Sequence, residues 1–441
     1  MLTRKRVSTI SKLAYPTLIA LSSALLMSLV DLIMVRPLGI RTTAAVGISV
    51  FSYTLIAAFL VGIAPAVQGL VARRRGQGST EASCLPLNAG LLAALIVGVP
   101  LTIFVEILTP YYFSLVSSDP EVTRLGIPFL RTLYVALLAF GMNAAFQGHW
   151  NGMEKPSVHM WISLILNSLN LFGNYVLIYG RFGAPALGAT GAALSTTLSF
   201  YVGLILNFVM TYRRYWKSEL QRVLPDRALV KRVFQLGMPA TMQEFFFSLG
   251  YLVFFWIVGQ VGTAELAAAN VLIRITMVIV LLAMSLGVAS ATLVSRTLGE
   301  GDVEGAAQWG WDAGKLGFIT LSTLGLPLLL FSEQILSLFL SDPLAIDIAI
   351  IPLRMIALTI GGGSLLYIFA YTLVSVGDGN RVMLVSFSTQ WLLFLPAAWF
   401  VGAYLRYGLL ELWVVQLVYG TIATALIITL WRQGRWKQVK I

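Results

Sequence analysis

The stretch LLMSLVDLIMV at residues 25–35 decides the fold class, because it ends an apolar run, residues 13–35, that is long enough to cross a bilayer. Ten of its eleven residues are apolar or small, and the exception is Asp31. A charged aspartate near the middle of a transmembrane helix costs about 2.5–3.5 kcal/mol on insertion scales. Such a residue usually faces the protein interior and has a partner or takes a proton. Asp31 is therefore the first candidate functional residue.

The composition of the whole chain indicates an integral membrane protein. Of 441 residues, 58% are hydrophobic and only 11% are charged. The single cysteine, Cys84, excludes a disulfide framework, and His149 and His159 are too far apart for joint metal ligation within one helix. We interpret both histidines as residues of span ends or loops. The net charge of +11 lies in short loops, where it is an orientation signal rather than a nucleic-acid surface.

Apolar runs predict twelve transmembrane helices, each long enough for a tilted helix that rises about 1.5 Å per residue. The predicted spans are 13–35, 44–71, 86–109, 124–149, 158–180, 184–212, 234–259, 264–295, 312–335, 347–375, 382–405 and 408–431.

Lysine and arginine residues orient these spans. If both termini are cytoplasmic, the inside segments hold 22 of the 30 basic residues, and the outside segments hold five. Short cytoplasmic loops carry such an excess in membrane proteins. The sequence therefore predicts cytoplasmic N- and C-termini.

The two halves of the chain repeat each other. A displacement of 223 residues carries Pro16 to Pro239, Arg131 to Arg354, and LVARRRGQG onto LVSRTLGEG. Six helices per half is an even number, so the repeats are parallel. The prediction is an all-α integral membrane protein of twelve transmembrane helices in two six-helix lobes related by a pseudo-two-fold axis. The lobes are residues 1–212 and 234–441, joined by a cytoplasmic loop at 213–233.

Two parallel six-helix bundles favour a transporter with a midplane site and alternating access. The repeat alone leaves a channel or a structural scaffold open as alternatives. RRRGQGS and RTLGEGD resemble phosphate loops only faintly, because they lack the preceding strand and the Lys-Ser/Thr pair. We therefore expect no ATP binding and infer that an ion gradient supplies the energy.

Two carboxylates, Asp31 and Glu244, are predicted to lie deep within spans. The repeat aligns Asp31 with Phe254 and Glu244 with Leu21, so any ion chemistry differs between the lobes. Glu244 is a second-lobe or substrate-site candidate, with the alternative that it lies close enough to the cytoplasm to be wetted.

The fifth predicted span carries Asn167, Asn170 and Asn174 on one helical face. Beside Asp31 these amides would stabilise its carboxylate, or coordinate Na⁺ through oxygen together with it. The alternative is that they only bond helices together. Asn170 and Asn174 are the primary ion-coupling candidates with Asp31, and Asn167, Thr196 and Pro16 are supporting candidates. Pro16 and its repeat partner are predicted in the first turns of their helices, where a proline is a start signal or a point of bending.

Several segments resemble the signatures of multidrug and toxic compound extrusion (MATE) transporters. They are VGQVGTAELAAANVL, VSRTLGEGD, PALGATGAALSTTLS and, at residues 174–180, NYVLIYG. The resemblance covers essentially the whole chain. It implies twelve helices in two lobes and export of bulky organic cations against inward flow of H⁺ or Na⁺.

The resemblance also implies roles for single residues. Asp31 occupies the position of the family's main coupling acid, and Glu244 resembles a helix-seven glutamate of the bacterial NorM branch. The helix-ten aspartate of that branch has no counterpart in MIALTIGGGSLLYIFAY. Asn174 stands where archaeal relatives of the DinF branch have a second acid, and Arg36-Pro37 replaces the usual glycine after VDLIMV.

The prediction is a bacterial NorM/DinF-like, H⁺- or Na⁺-coupled exporter of small organic cations. It would be a monomer in the lipid of the inner membrane, without cofactor, ATP or nucleic acid. The alternative is a flippase for lipid-linked or other amphipathic substrates, which would favour arginines in the cavity. An enzyme is not expected, because no nucleophile–base or metal constellation occurs in the sequence.

Overall fold

The computed structural model describes residues 3–78, 84–215 and 224–439, and no strand occurs among them. Helices follow one another with short connections throughout. Their bounds are α1 Arg4–Val35, α2 Ile40–Gly76, α3 Cys84–Val116, α4 Pro120–Gly152, α5 Pro156–Tyr179, α6 Ala189–Tyr215, α7 Arg227–Val261, α8 Thr263–Gly299, α9 Val303–Leu330, α10 Pro343–Leu373, α11 at 379–404 and α12 Leu409–Gln433. The all-α prediction is confirmed.

The described residues contain eleven continuous helices that are long and apolar enough to cross a membrane. The predicted spans number twelve, because two of them, 347–375 and 382–405, fall within the continuous segment Pro343–Tyr404. Gly377 breaks this segment between α10 and α11 with a φ of 99°. Glycine enters that region readily because it has no Cβ atom. The chain therefore has the helices of an integral membrane protein.

Both α1 and α7 begin earlier than predicted, so the placement of Pro16 and Pro239 in first turns is wrong. Each proline is the thirteenth residue of its helix. The preceding basic residues were outside the apolar runs, yet they continue the helix, since a helix satisfies its own backbone hydrogen bonds in water as well as in lipid. A proline at an interior position removes one of those bonds.

The chain divides into two compact units, and the divisions lie inside α1 and α7. The N-terminal unit is Ile19–Thr241, and the C-terminal unit is Met1–Leu18 with Met242–Ile441. The predicted lobe limits, 212 and 234, stay a prediction. Residues 216–223 of the predicted linker lie outside the described residues, and its last part, from Arg227, is helical.

Apolar side chains form a core within each unit. In the N-terminal unit Leu60, Leu137, Phe146 and Trp150 are almost fully buried between α2, α3, α4 and α6. The start of α7 belongs to this unit because two backbones meet closely there. A Cβ atom on Gly62 would overlap the carbonyl oxygen of Gly237.

The start of α1 belongs to the core of the C-terminal unit. Ile10 and Ala14 are buried against residues of α8, α9 and α10, among them Leu286 and Leu293. A second core of this unit is rich in aromatic rings. It contains Phe254 of α7, Phe394 of α11 and Trp413 of α12.

Candidate functional site

Asp31 lies in the part of α1 that belongs to the N-terminal unit, and its side chain faces α5. The residue is half-buried. Its Oδ1 atom accepts a hydrogen bond from Nδ2 of Asn174 across 2.5 Å. The acid therefore has a polar partner on the neighbouring helix, as the cost of an apolar setting requires.

The α5 amides continue the site away from Asp31. Asn170 and Asn174 are one turn apart on the helix and are 4% and 0% exposed. Nδ2 of Asn174 also donates to Oδ1 of Asn170 across 3.0 Å, and Nδ2 of Asn170 donates to the Thr196 hydroxyl across 2.8 Å. The structure thus brings together the three primary candidates and Thr196 in one hydrogen-bonded chain.

The Asn170 amide has a second orientation, which replaces its bonds to Asn174 and Thr196 described above. In the second, its nitrogen donates to Oδ1 of Asp31 across 3.0 Å, and its oxygen accepts from the hydroxyl and the backbone amide of Thr196. In the first, the amide oxygen faces the carboxyl group instead. An ionised carboxylate favours the second orientation, because it accepts hydrogen bonds only. A protonated carboxyl group can donate to the amide oxygen in the first.

One acceptor of the site has no partner. Oδ1 of Asn174 is buried, and no described residue donates to it. Buried polar atoms are normally satisfied, so such an atom calls for a water molecule or an ion. Together with the carboxylate of Asp31 it offers oxygen ligands, the type that hard cations prefer. No cluster of three or more His, Cys, Asp or Glu residues occurs in the described ranges.

The supporting candidates have separate environments. Nδ2 of Asn167 donates to Oγ of Ser23 on α1 across 2.9 Å. This bond joins α5 to α1 at a second point, on the N-terminal side of the contact between Asn174 and Asp31. Pro16 lies on the other side of the unit boundary, within the first 18 residues. The hydroxyl of its neighbour Thr17 donates to the carbonyl oxygen of Leu13 across 3.1 Å.

Glu244 belongs to the C-terminal unit, whereas Asp31 belongs to the N-terminal unit. Its side chain is exposed, and within the described residues it forms no hydrogen bond or ion pair. It lies within electrostatic range of Tyr367 on α10, which is also close to Tyr251 and Tyr419. The acid of the C-terminal unit therefore has tyrosine hydroxyls nearby where the N-terminal unit has amides.

Sequence reasoning missed two carboxylates inside helices. Glu106 of α3 lies 3.6 Å from Arg131, and Asp312 of α9 lies 2.8 Å from Arg6. Both acids lie near the ends of predicted spans, 86–109 and 312–335, and the expectation that Asp31 and Glu244 are the two deep acids stays a prediction. Each of these acids has an arginine as its partner. A search for opposite charges that could meet between different helices would have found both pairs.

Comparison with known proteins identifies the family. The MatE family model matches residues 16–176 and 239–400, about three-quarters of the chain. The chain belongs to the MatE family. The two matches begin at Pro16 and Pro239, which agrees with the duplication predicted from the sequence.

Curated relatives span nearly the full length of this MATE-family chain. It is 27% identical to "Probable multidrug resistance protein NorM" of Thermotoga maritima over 444 residues, which covers 97% of this chain and 92% of that protein. It is also 27% identical to "Multidrug resistance protein NorM" of Vibrio cholerae, covering 90% and 88% of the two chains.

Solved structures share the fold. The chain matches "Crystal structure of MATE in the straight conformation" with a TM-score of 0.88, 22% identity and coverage of 98% and 97%. The predicted fold class and family are therefore confirmed. The family is one of transporters, which agrees with the prediction that the chain is not an enzyme.

Proposed function

We propose that this protein exports bulky organic cations from the cell in exchange for H⁺ or Na⁺. The observation that carries the proposal is the chain from Asp31 through Asn174 and Asn170 to Thr196. Membership of the family and two NorM relatives named for multidrug resistance support the export of drugs. The site residues are Asp31, Asn170 and Asn174, and we assign cytoplasmic termini and a bacterial inner-membrane location.

Asp31 has three states in this scheme: ionised, protonated, or neutralised by a bound cation. The ionised state attracts a cationic drug through charge. Arrival of H⁺ or Na⁺ removes that attraction, so the ion and the drug compete for the same charge. The unpartnered Oδ1 of Asn174 and the rotatable amide of Asn170 give a cation additional oxygen ligands.

The course of α1 supports coupling between ion binding and conformation. Its second half carries Asp31 in the N-terminal unit, and its first half is fixed in the core of the C-terminal unit by Ile10 and the Arg6–Asp312 pair. Pro16 stands just before the division, where it removes a backbone hydrogen bond. If ion binding at Asp31 bends α1, the bend therefore affects a helix that has residues in both units.

The arginines do not favour the flippase alternative. Arg131 is paired with Glu106, and Nε of Arg354 donates to the Ser332 hydroxyl across 3.3 Å. These two are related by the repeat, and with Arg274 they are the arginines near or within predicted spans on which the alternative depends.

The test is efflux of a fluorescent organic cation from proteoliposomes that contain the purified protein. A pH gradient and a Na⁺ gradient are imposed separately and then collapsed with an ionophore. We expect one of them to drive efflux. Efflux that is independent of both gradients, or that requires ATP, would overturn the proposal.

A further inference from the structure

The polar face of α5 extends well beyond the Asp31 site. His159, Ser163, Asn167, Asn170 and Asn174 follow one another at intervals of three or four residues, so they share one helical face. At 1.5 Å per residue this face runs for about 22 Å from His159 to Asn174. His159 is close to the N-terminal end of α5, the end that the proposed topology places at the cytoplasm.

Contacts join two pairs of residues on this face and connect the face to α1 at two points. Nε2 of His159 lies 3.5 Å from the Ser163 hydroxyl, and Asn167 donates to Ser23. Asn170 and Asn174 then lead to Asp31. The corresponding face of the second half, displaced by 223 residues, is interrupted by Val382 and Ala397. The polar face is therefore specific to the half that carries Asp31.

His159 has a ring nitrogen that the protein leaves free. Its Nδ1 atom is buried, and no described residue bonds to it. A buried nitrogen without a protein partner calls for a water molecule, and a ring nitrogen without a proton can accept one from that water. The contacts of this ring thus suit a group that exchanges a proton with a nearby water molecule.

The groups packed around His159 leave it free to take that role. The inner parts of α4 and α6, which flank α5, carry His149, Tyr212 and Arg213 as their titratable groups with described side chains. Glu154, just before α5, lies 3.3 Å from Arg75. None of these residues forms a hydrogen bond or ion pair with His159 in the described parts of the chain.

We propose that the polar face of α5 is the route by which a proton leaves Asp31 for the cytoplasm, with His159 as its last relay. Asp31 gives its proton to a water molecule, and waters held by the amides and hydroxyls pass the charge along the face. A ring nitrogen of His159 accepts a proton to form the imidazolium ion, which then releases a proton to cytoplasmic water. No atom other than hydrogen is exchanged. The inference rests on the proposed function, specifically on H⁺ as the coupling ion.

The test compares His159→Gln, Ser163→Ala and the control Ser168→Ala, which alters an exposed serine on another face of α5. Full-length protein in proteoliposomes is assayed for H⁺-driven efflux, and drug affinity is measured separately at equilibrium. We expect His159→Gln to reduce the initial rate about tenfold, and Ser163→Ala to reduce it less, with unchanged drug affinity and pH dependence of binding. Added imidazole should restore part of the rate in His159→Ala.

Other outcomes separate this inference from the proposed function. A wild-type rate in His159→Gln would overturn the route while H⁺ coupling stands. Equal losses of rate and drug affinity, without rescue by imidazole, would show a structural role and also overturn it. Efflux driven by Na⁺ alone would overturn the route but leave ion-coupled export intact. A wild-type protein without any ion-driven efflux would overturn both.

Discussion

Asp31 in α1 and Phe254 in α7 occupy corresponding positions of the two repeats, and their environments are opposite. Asp31 is half-buried and bonded to an amide of α5. Phe254 is 1% exposed, and its ring centroid lies 5.1 Å from that of Phe394. One copy of the repeated helix therefore carries a charge with polar partners, and the other fills an apolar core.

Other corresponding positions keep the same role in both repeats. Asp119 caps the N-terminus of α4, and Asp342 caps that of α10, each followed by a proline. Asn167 bonds α5 to α1, and Gln390 bonds α11 to the backbone of α7 at Phe247. Duplication therefore preserved these scaffold contacts, whereas the charge chemistry diverged.

The largest effect is expected from Asp31→Asn, which removes the charge with little change in size. We predict loss of gradient-driven export by a factor of about 100 or more, as for other essential proton-transfer groups. The protein should still insert and fold, which size-exclusion profiles and expression level would check. Gradient-driven efflux at the wild-type rate would contradict the assignment of Asp31.

The second-largest effect is expected from the side-chain amides of Asn170 and Asn174. We predict that Asn170→Leu and Asn174→Leu each weaken ion coupling about tenfold, because residues that hold and orient an ion ligand carry effects of that size. The measurement is the ion concentration that gives half-maximal efflux.

Phe254→Leu is the matched change in the other repeat. It should cost about 1–2 kcal/mol of stability through lost packing and leave the ion dependence of transport in place. Equal losses of coupling from all three changes would mean that the asparagines serve packing only.

We expect a smaller effect from a substitution of Glu244, because this residue lies in the C-terminal unit near tyrosines and has no amide partner among the described residues. Glu244→Gln should reduce the affinity for drugs with a positive charge by less than about tenfold, since one partly screened charge is removed. Neutral substrates should be unaffected. If the variant instead lost its dependence on the coupling ion, the two units would share the ion chemistry.

The helix caps should show the smallest effect. The backbone amide of Glu121 and the side chain of Arg41 hold the pKa of Asp119 below its usual range. A lowered pKa means that this contribution to stability is present above the ordinary aspartate pKa and is lost as the pH falls through the lowered value.

Asp119→Ala and Asp342→Ala should each lower the melting temperature by about 2 °C or less, with transport unchanged. Thermal unfolding at neutral and acidic pH measures this, and the difference between Asp119→Ala and wild type should shrink in acid. A cap variant that lost ion coupling would show that the scaffold and the site are not separate.

Sequence reasoning reached the architecture and the Asp31–Asn170–Asn174 group because hydropathy, helical spacing and the 223-residue repeat are all local or periodic signals. It misplaced Pro16, since polar residues before an apolar run can continue a helix. It also missed the pairs of Glu106 with Arg131 and Asp312 with Arg6, whose partners are far apart in the chain. The orientation of the Asn170 amide depends on atoms from α1 and α6, and no sequence pattern encodes it.

In the proposed mechanism, ion and drug compete for the charge of Asp31. Drug affinity of the purified protein, measured from about pH 5 to about pH 8 with and without Na⁺, tests it most directly. For a drug with one positive charge, we expect affinity that falls as the pH is lowered or, if Na⁺ is the coupling ion, as Na⁺ rises. Asp31→Asn should bind weakly and show neither dependence. Wild-type affinity that is independent of both ions, or an Asp31→Asn variant that keeps the full ion dependence, would refute this competition.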